Sequence, residues 1–186
     1  QIVFVAHKNS VANLYTMDAD GSNKKQITHY TYDTQIIDPH FSPDGKSIIF
    51  SMADRDANLD LFILSVTTGD VQRITKDSAA DYNPVWHPDG KYVSYTSHAG
   101  GTPNIHTVNI ATGESKQISD VGDAVWAAQW SPSDSTLMAT TLWDVDTVRI
   151  VKVDPHRAIT TEKLSMRHRF TDWRNTEPDF PLTGID

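Results

Sequence analysis

The phrase Asp81-Tyr82-Asn83-Pro84-Val85-Trp86-His87-Pro88-Asp89-Gly90-Lys91-Tyr92-Val93-Ser94-Tyr95-Thr96-Ser97 reads as strand, tight turn, strand, and it recurs along the chain. Its aromatic has counterparts at Phe41, Trp130 and Phe180, at spacings of 45, 44 and 50. Pro-x precedes three of the four, in Pro39-His40-Phe41, Pro84-Val85-Trp86 and Pro178-Asp179-Phe180, while the other reads Ala128-Gln129-Trp130. After the aromatic come Ser42-Pro43-Asp44-Gly45-Lys46, His87-Pro88-Asp89-Gly90-Lys91 and the weaker Ser131-Pro132-Ser133-Asp134. Asp-Gly between strand-like runs predicts a two-residue type I′ hairpin, whose two central residues both need φ > 0.

Each turn leads into a second β-rich run, Ser47-Ile48-Ile49-Phe50, Tyr92-Val93-Ser94-Tyr95 or Thr136-Leu137-Met138-Ala139. Ile2-Val3-Phe4-Val5 reads as one more copy, without its first strand. Third runs follow at Asn13-Leu14-Tyr15-Thr16-Met17, Asp60-Leu61-Phe62-Ile63-Leu64, Asn104-Ile105-His106-Thr107-Val108 and Arg149-Ile150-Val151-Lys152-Val153. Short fourth runs are Lys25-Gln26-Ile27-Thr28, Gln72-Arg73-Ile74-Thr75, Lys116-Gln117-Ile118-Ser119 and Glu162-Lys163-Leu164-Ser165. Four antiparallel strands every 44 to 47 residues is the period of a β-propeller blade, and no helical period is sustained.

The expected fold is therefore all-β, a propeller of about four blade-equivalents forming one domain over residues 1–186. The units are approximately 1–28 (partial), 36–75, 81–119, 125–165 and 175–186 (partial). Two closures are open. The strand near Phe180 completes the blade begun at Ile2 and makes a four-bladed ring, or the chain forms part of a six- to eight-bladed ring. Trp and Phe between blades suit the wider ring. Trp86 and Trp130 are expected in that blade-to-blade core.

A chain of 186 residues can bury a sizeable core. Its net charge of −8 argues against a nucleic-acid-binding body. The absence of cysteine excludes a disulfide framework, a thiolate zinc site and covalently attached c-type haem. No apolar run approaches the length of a membrane span, so no direct membrane insertion is expected. Opening at Gln1, the chain is expected to be a processed product or a piece of a longer one.

The phrase Phe41-Ser42-Pro43-Asp44-Gly45-Lys46, followed by Asp60-Leu61-Phe62 and Arg73-Ile74-Thr75, resembles the WD40-like PD40 repeat of TolB-type propellers. Asn13-Leu14-Tyr15-Thr16-Met17-Asp18-Ala19-Asp20-Gly21 fits the same pattern, and the resemblance covers nearly the whole chain. It implies a scaffold with a protein or peptide partner in the periplasm or outside the cell. Relatives with this repeat also include the propellers of prolyl-oligopeptidase-type and tricorn-like peptidases and some pectate-fragment lyases. Fold alone does not choose among these.

In a propeller the links from strand four to the next strand one follow one rim into the central channel. Here they are residues 28–38, 75–83, 119–128 and 165–177. Their candidate ligand-binding acids are Asp33, Asp38, Asp77, Asp81 and Asp123, accompanied by Asp120 and Asp172. Such a rim could form a funnel for a cationic peptide or offer carboxylate oxygens to Ca²⁺ or another divalent metal. Any single Asp there serves equally well as a turn former. Trp126 and Trp173 are the candidate aromatic anchors, beside Tyr30, Tyr32 and Tyr82. Arg167 and Arg169, with Arg174, make a dense basic patch suited to a carboxylate or to salt bridges within the rim.

Of eight histidines, His40 and His87 lie beside the repeat aromatics and are the candidate metal ligands. His87 stands where other copies carry Ser42 and Ser131, as a polar substitution would. There is no Gly-x-Ser-x-Gly elbow, His-Glu-x-x-His helix, phosphate loop or dinucleotide fingerprint. The expected role is non-enzymatic binding without a cofactor. The alternatives are a metal-assisted lyase or hydrolase using channel histidines, and the substrate-gating propeller of a larger peptidase.

Overall fold

The computed structural model describes residues 1–53, 58–120, 124–132, 136–144, 147–153 and 170–172. These form fifteen strands and, among the described residues, no helix. The first sheet holds β1 (Ile2–Lys8), β2 (Val11–Met17) and β3 (Lys25–Gln26) in that order. The second holds β4 (Gln35–Phe41), β5 (Ser47–Ala53), β6 (Leu59–Ser65) and β7 (Val71–Arg73). The third holds β8 (Asp81–Trp86), β9 (Tyr92–Ser97), β10 (Asn104–Asn109) and β11 (Ser115–Gln117). The fourth holds β12 (Ala124–Trp130), β13 (Leu137–Asp144), β14 (Thr147–Val153) and β15 (Phe170–Asp172). All pairings are antiparallel and sequential, as the repeat predicts. The strand beside β14 is Phe170–Asp172, later than the expected Glu162–Ser165, which lies outside the described residues. The strand expected near Phe180 lies outside them too.

Adjacent sheets bury facing sides against one another, so among the described residues the core is divided into three seams. Ala12 and Leu14 of the first sheet meet Ile36, Ile48, Phe50 and Phe41 of the second. Ile49 and Leu61 of the second meet Val93, Tyr95, Val108 and Trp86 of the third. Ile105 and Ile118 of the third meet Val125, Leu137, Val151 and Trp130 of the fourth. The repeat aromatics Phe41, Trp86 and Trp130 thus each wedge into one seam, as expected from their positions. Leu14, Leu61 and Ile105 take equivalent places on the opposite walls and are all fully buried.

The first strands of the second, third and fourth sheets each carry a β-bulge. The register shifts between Ile37 and His40, between Tyr82 and Val85, and between Trp126 and Gln129. At each shift stands a residue with left-handed φ: Asp38 (52°), Asn83 (51°) and Ala127 (52°). The next residue is Pro39, Pro84 or Ala128. Proline is tolerated where the ladder is already interrupted, because its missing N–H costs no bond there. The extra residue also alters which side chains share a face. Strand side chains alternate, so residues five apart normally face opposite ways. With one bulge residue between them, Ile36 and Phe41 enter the same seam, and so do Val125 and Trp130.

The hairpin turn differs from the expected type I′. Gly45 and Gly90 have φ of 70°, but Asp44 and Asp89 are not left-handed. The Gly45 N–H donates to the Ser42 carbonyl (2.9 Å) and the Gly90 N–H to that of His87 (2.9 Å). The bend therefore runs from Ser42 to Gly45 with Pro43 and Asp44 at its centre, as in a type I turn followed by a left-handed glycine. Proline fixes a negative φ and so claims the first central position, moving the turn back by one residue. Asp44 then accepts from the Ser42 hydroxyl (2.7 Å) and the Lys46 N–H (3.1 Å).

A second repeated device ties the third and fourth strands. Thr28, Thr75 and Ser119 follow the fourth strands. Their hydroxyls accept from the N–H groups of Leu14 (2.8 Å), Leu61 (3.0 Å) and Ile105 (2.8 Å). The same hydroxyls donate to Asn13 (3.0 Å), Asp60 (3.3 Å) and Asn104 (2.8 Å). Two residues earlier, Gln26, Arg73 and Gln117 reach forward to the carbonyls of those hydroxyl residues. All these hydroxyls are buried, so each satisfies a backbone donor that water cannot reach. Replacing Ser119 by Ala removes the acceptor of the buried Ile105 N–H and a donor to the Asn104 side chain together. Urea unfolding should show a loss of about 1–3 kcal/mol. Thr112→Ala in an exposed turn should stay within about 0.5 kcal/mol of the parent.

Candidate functional site

The inner edge of the assembly is built from β1, β4, β8 and β12, each packed against the next. The bulges put Asp38, Asn83 and Ala127 on this edge at corresponding places in consecutive sheets. Asn83 Nδ2 donates to Asp38 Oδ2 across the seam, at 2.7 Å. This bond couples the first strands of the second and third sheets. In the fourth sheet Ala127 has no polar side chain to extend the row, and its N–H donates to Thr96 Oγ1 at 3.3 Å. Asn83 was not among the residues selected from the sequence. The available signal was its spacing of 45 from Asp38, together with the tolerance of Asn and Asp for left-handed φ.

His40 lies just past its bulge, opposite Ile49. Its surface is open, yet the protein around it lowers its pKa by partial desolvation, and the Asp38 carboxylate opposes that shift. His87 lies away from this edge, in the turn after β8. Its ring stands edge-on to Trp130 with centroids 4.4 Å apart, and Nδ1 is 2.9 Å from Asp89 Oδ1. It fills the turn position that Ser42 holds one sheet earlier. Among the described residues, no group of three or more His, Asp or Glu side chains is placed to hold a metal ion.

The remaining rim candidates divide by environment. Asp33 is exposed in the link between β3 and β4. Asp77 is exposed, and its Oδ1 accepts the Ala79 N–H at 2.8 Å, which makes it a turn former. Asn58 reinforces that link by donating to the Asp77 and Ala79 carbonyls, both at 3.0 Å. Trp126 is half-buried on β12, paired with Thr140 immediately before the bulge. Tyr30 and Tyr32 meet edge to face at 5.9 Å. The Tyr82 hydroxyl lies 3.0 Å from His98 Nε2, and burial raises the Tyr82 pKa. Asp123, Trp173, Arg167 and Arg169 lie outside the described residues.

Asp81 departs from expectation. The sequence places it on the rim, but its side chain is fully buried, with 0% relative exposure. The bulge rule explains this: Asp81 is five residues before Trp86, so it faces the seam toward the second sheet. Its neighbours there include Asp60, another acid the sequence reading passed over. Asp60 is buried and ion-paired with Arg73. Burial raises the Asp60 pKa, and Arg73 opposes the shift. The signal for Asp60 was its alignment with Asn13 and Asn104, which share its place at the start of the third strand.

The sequence model of the TolB beta propeller domain, PD40, matches residues 1–167. The Tol-Pal system protein TolB of Francisella tularensis is 33% identical over 107 residues, covering 56% of this chain and 24% of that protein. A protein TolB homolog of Chlorobaculum tepidum is 29% identical over 102 residues, covering 55% of this chain and 23% of that protein. These matches span about a quarter of the length of either relative. The structure of TolB from Acinetobacter baumannii superposes with a TM-score of 0.73 at 25% identity, over 84% of this chain and 39% of that one. A putative TolB from Agrobacterium tumefaciens gives a TM-score of 0.71 at 22% identity, over 82% of this chain and 56% of that one.

The bond across the inner edge has a direct test. Asn83→Ala removes a hydrogen bond to a carboxylate and puts a β-carbon with no compensating polar group in the left-handed region. Stability by urea unfolding should fall by about 1–3 kcal/mol. Asp38→Asn keeps an acceptor for Asn83 and a residue suited to left-handed φ, so it should remain within about 1 kcal/mol of the parent.

Proposed function

Because the chain belongs to the TolB β-propeller family, we propose that it is a non-enzymatic scaffold that binds a protein or peptide at the inner edge and its adjoining rim. The observation that carries this reading is the bridge between Asp38 and Asn83 at the bulges of two consecutive sheets. Bulges turn a side chain out of the regular ladder, and proteins use them to aim groups at ligands. Half-buried Tyr82 lies next to the bridge, and half-buried Trp126 occupies the equivalent place in the next sheet. Rigid aromatics of this kind give contact area at little entropic cost.

The preferred ligand is a segment carrying Lys or Arg. The chain has a net charge of −8, Asp38 stands at the inner edge, and Asp33 and Asp77 lie in the links that lead to it. An acidic approach of this kind speeds the encounter with a cationic partner and weakens with salt. Two of the relatives are named for the TolB protein, one of them as part of the Tol-Pal system. Those names support a protein partner and a periplasmic location for this chain as well.

A random peptide library selected against the purified chain tests the reading. Selected peptides should be enriched in basic residues, and their affinity should fall as salt rises. Asp38→Asn and Tyr82→Ala should each weaken them about tenfold or more in fluorescence anisotropy, the loss expected for a binding hot spot. A library that yields no binder, or binders indifferent to both substitutions, contradicts the assignment.

A further inference from the structure

Asp81 occupies a position that is apolar in the sheets on either side. Counting back five residues from each wedge aromatic gives Ile36, Asp81 and Val125, with exposures of 2%, 0% and 0%. Their strand partners correspond as well: Met52, Ser97 and Thr141. Ile36 and Val125 pack into the cores of their seams. The third sheet has put a carboxyl group there instead, and neither of its oxygens has a hydrogen-bond partner.

The surroundings replace only part of the lost water. The Ser97 and Thr75 hydroxyls favour the charged form, but the Thr75 proton is committed to Asp60. Asp60 on β6 and Asp77 in the link from β7 both oppose a charge on Asp81. Arg73 on β7 is ion-paired with Asp60, and Lys76 beside it is exposed. On β9, Tyr95 is buried, bonded to Ser115 at 2.6 Å, and brings no positive charge. β4 carries Asp38 and His40, and Asp38 is engaged with Asn83. β5 and β12 bring no ionisable side chain. A neutral carboxylic acid fits this seam much as Ile36 and Val125 fit theirs. An ionised one needs water that the closed seam excludes.

We infer that Asp81 is a proton-operated latch on the junction between the second and third sheets: the neutral acid closes the seam, and ionisation loosens it together with the 76–80 link that leads into it. The device is independent of what the rim binds. Burial, assisted by Asp77 and Asp60, lifts the Asp81 pKa from 3.8 to about 6. The folded state thus holds its proton more tightly than the unfolded chain. The stabilisation is complete below about pH 4, declines as pH rises through about 6, and is absent above that. A shift of this size corresponds to about a 100-fold change in the folding equilibrium. His40 and His106, whose pKa values burial lowers, act in the opposite sense as pH falls. A comparison of variants is therefore needed to isolate Asp81.

The test is urea unfolding of the parent and of Asp81→Val from pH 4.5 to 8, with a carbon-13 titration of the Asp81 carboxyl in the parent. The parent should lose about 30-fold in folding constant relative to Asp81→Val across this range, and the carboxyl should titrate near pH 6. Asp81→Asn, which cannot ionise, should also lack this component of the pH dependence. Parallel pH profiles for parent and variants, or a carboxyl midpoint near 4, would overturn the latch. The carboxyl titration alone decides the matter if neither variant folds.

Discussion

The aromatic at the end of each first strand, driven into the seam between two sheets, is the contact on which this architecture depends. A single four-stranded sheet of this size cannot cover both its faces, so each must lean on its neighbours. Phe41, Trp86 and Trp130 do this at a fixed place in the repeat, opposite apolar residues of the preceding sheet. Their details differ in an informative way. Trp130 Nε1 donates to Ser94 Oγ at 3.0 Å, while buried Trp86 Nε1 has no partner. The residue corresponding to Ser94 in the preceding sheet is Ile49, which has no polar atom to offer. Apolar burial sets the wedge, and the hydrogen bond is an addition that one seam has and the other lacks.

The bulge is what makes the wedge compatible with a buried residue at the start of the same strand. It allows residues five apart to face one seam, and it turns a left-handed residue out at the inner edge. The packing device and the candidate binding residues therefore come from one local irregularity. Asp38 and Asn83 gain their positions from it, and Asp81 is sent inward by it. Four of the expected site residues, Asp123, Trp173, Arg167 and Arg169, lie outside the described residues, so the site rests on the second and third sheets with Trp126.

Strand order, the wedge positions and the strands of the first three sheets were legible in the sequence, because a repeat fixes them several times over, whereas the last strand of the fourth sheet was expected earlier than Phe170–Asp172. The turn type was not, because Asp-Gly suggests one geometry and the preceding proline imposes another. The bulges were not recognised either. One inserted residue breaks the two-residue alternation, and the pattern of Pro39 and Pro84 that marks it looks like ordinary punctuation. Once the bulge is missed, the facing of Asp81 is wrong, and a buried acid is taken for a rim ligand. Asn83 was overlooked for the same reason, since its partner Asp38 is near only across a seam.

A double-mutant cycle on Trp130 and Ser94 tests most directly whether adjacent sheets are locked by the wedge at this repeat position. Trp130→Phe, Ser94→Ala and the double variant are each unfolded in urea. Side chains bonded across the seam predict a coupling of about 0.5–1.5 kcal/mol between the two changes. Strictly additive losses would mean that Trp130 and Ser94 do not meet across the seam, and would contradict this account of how the sheets are joined.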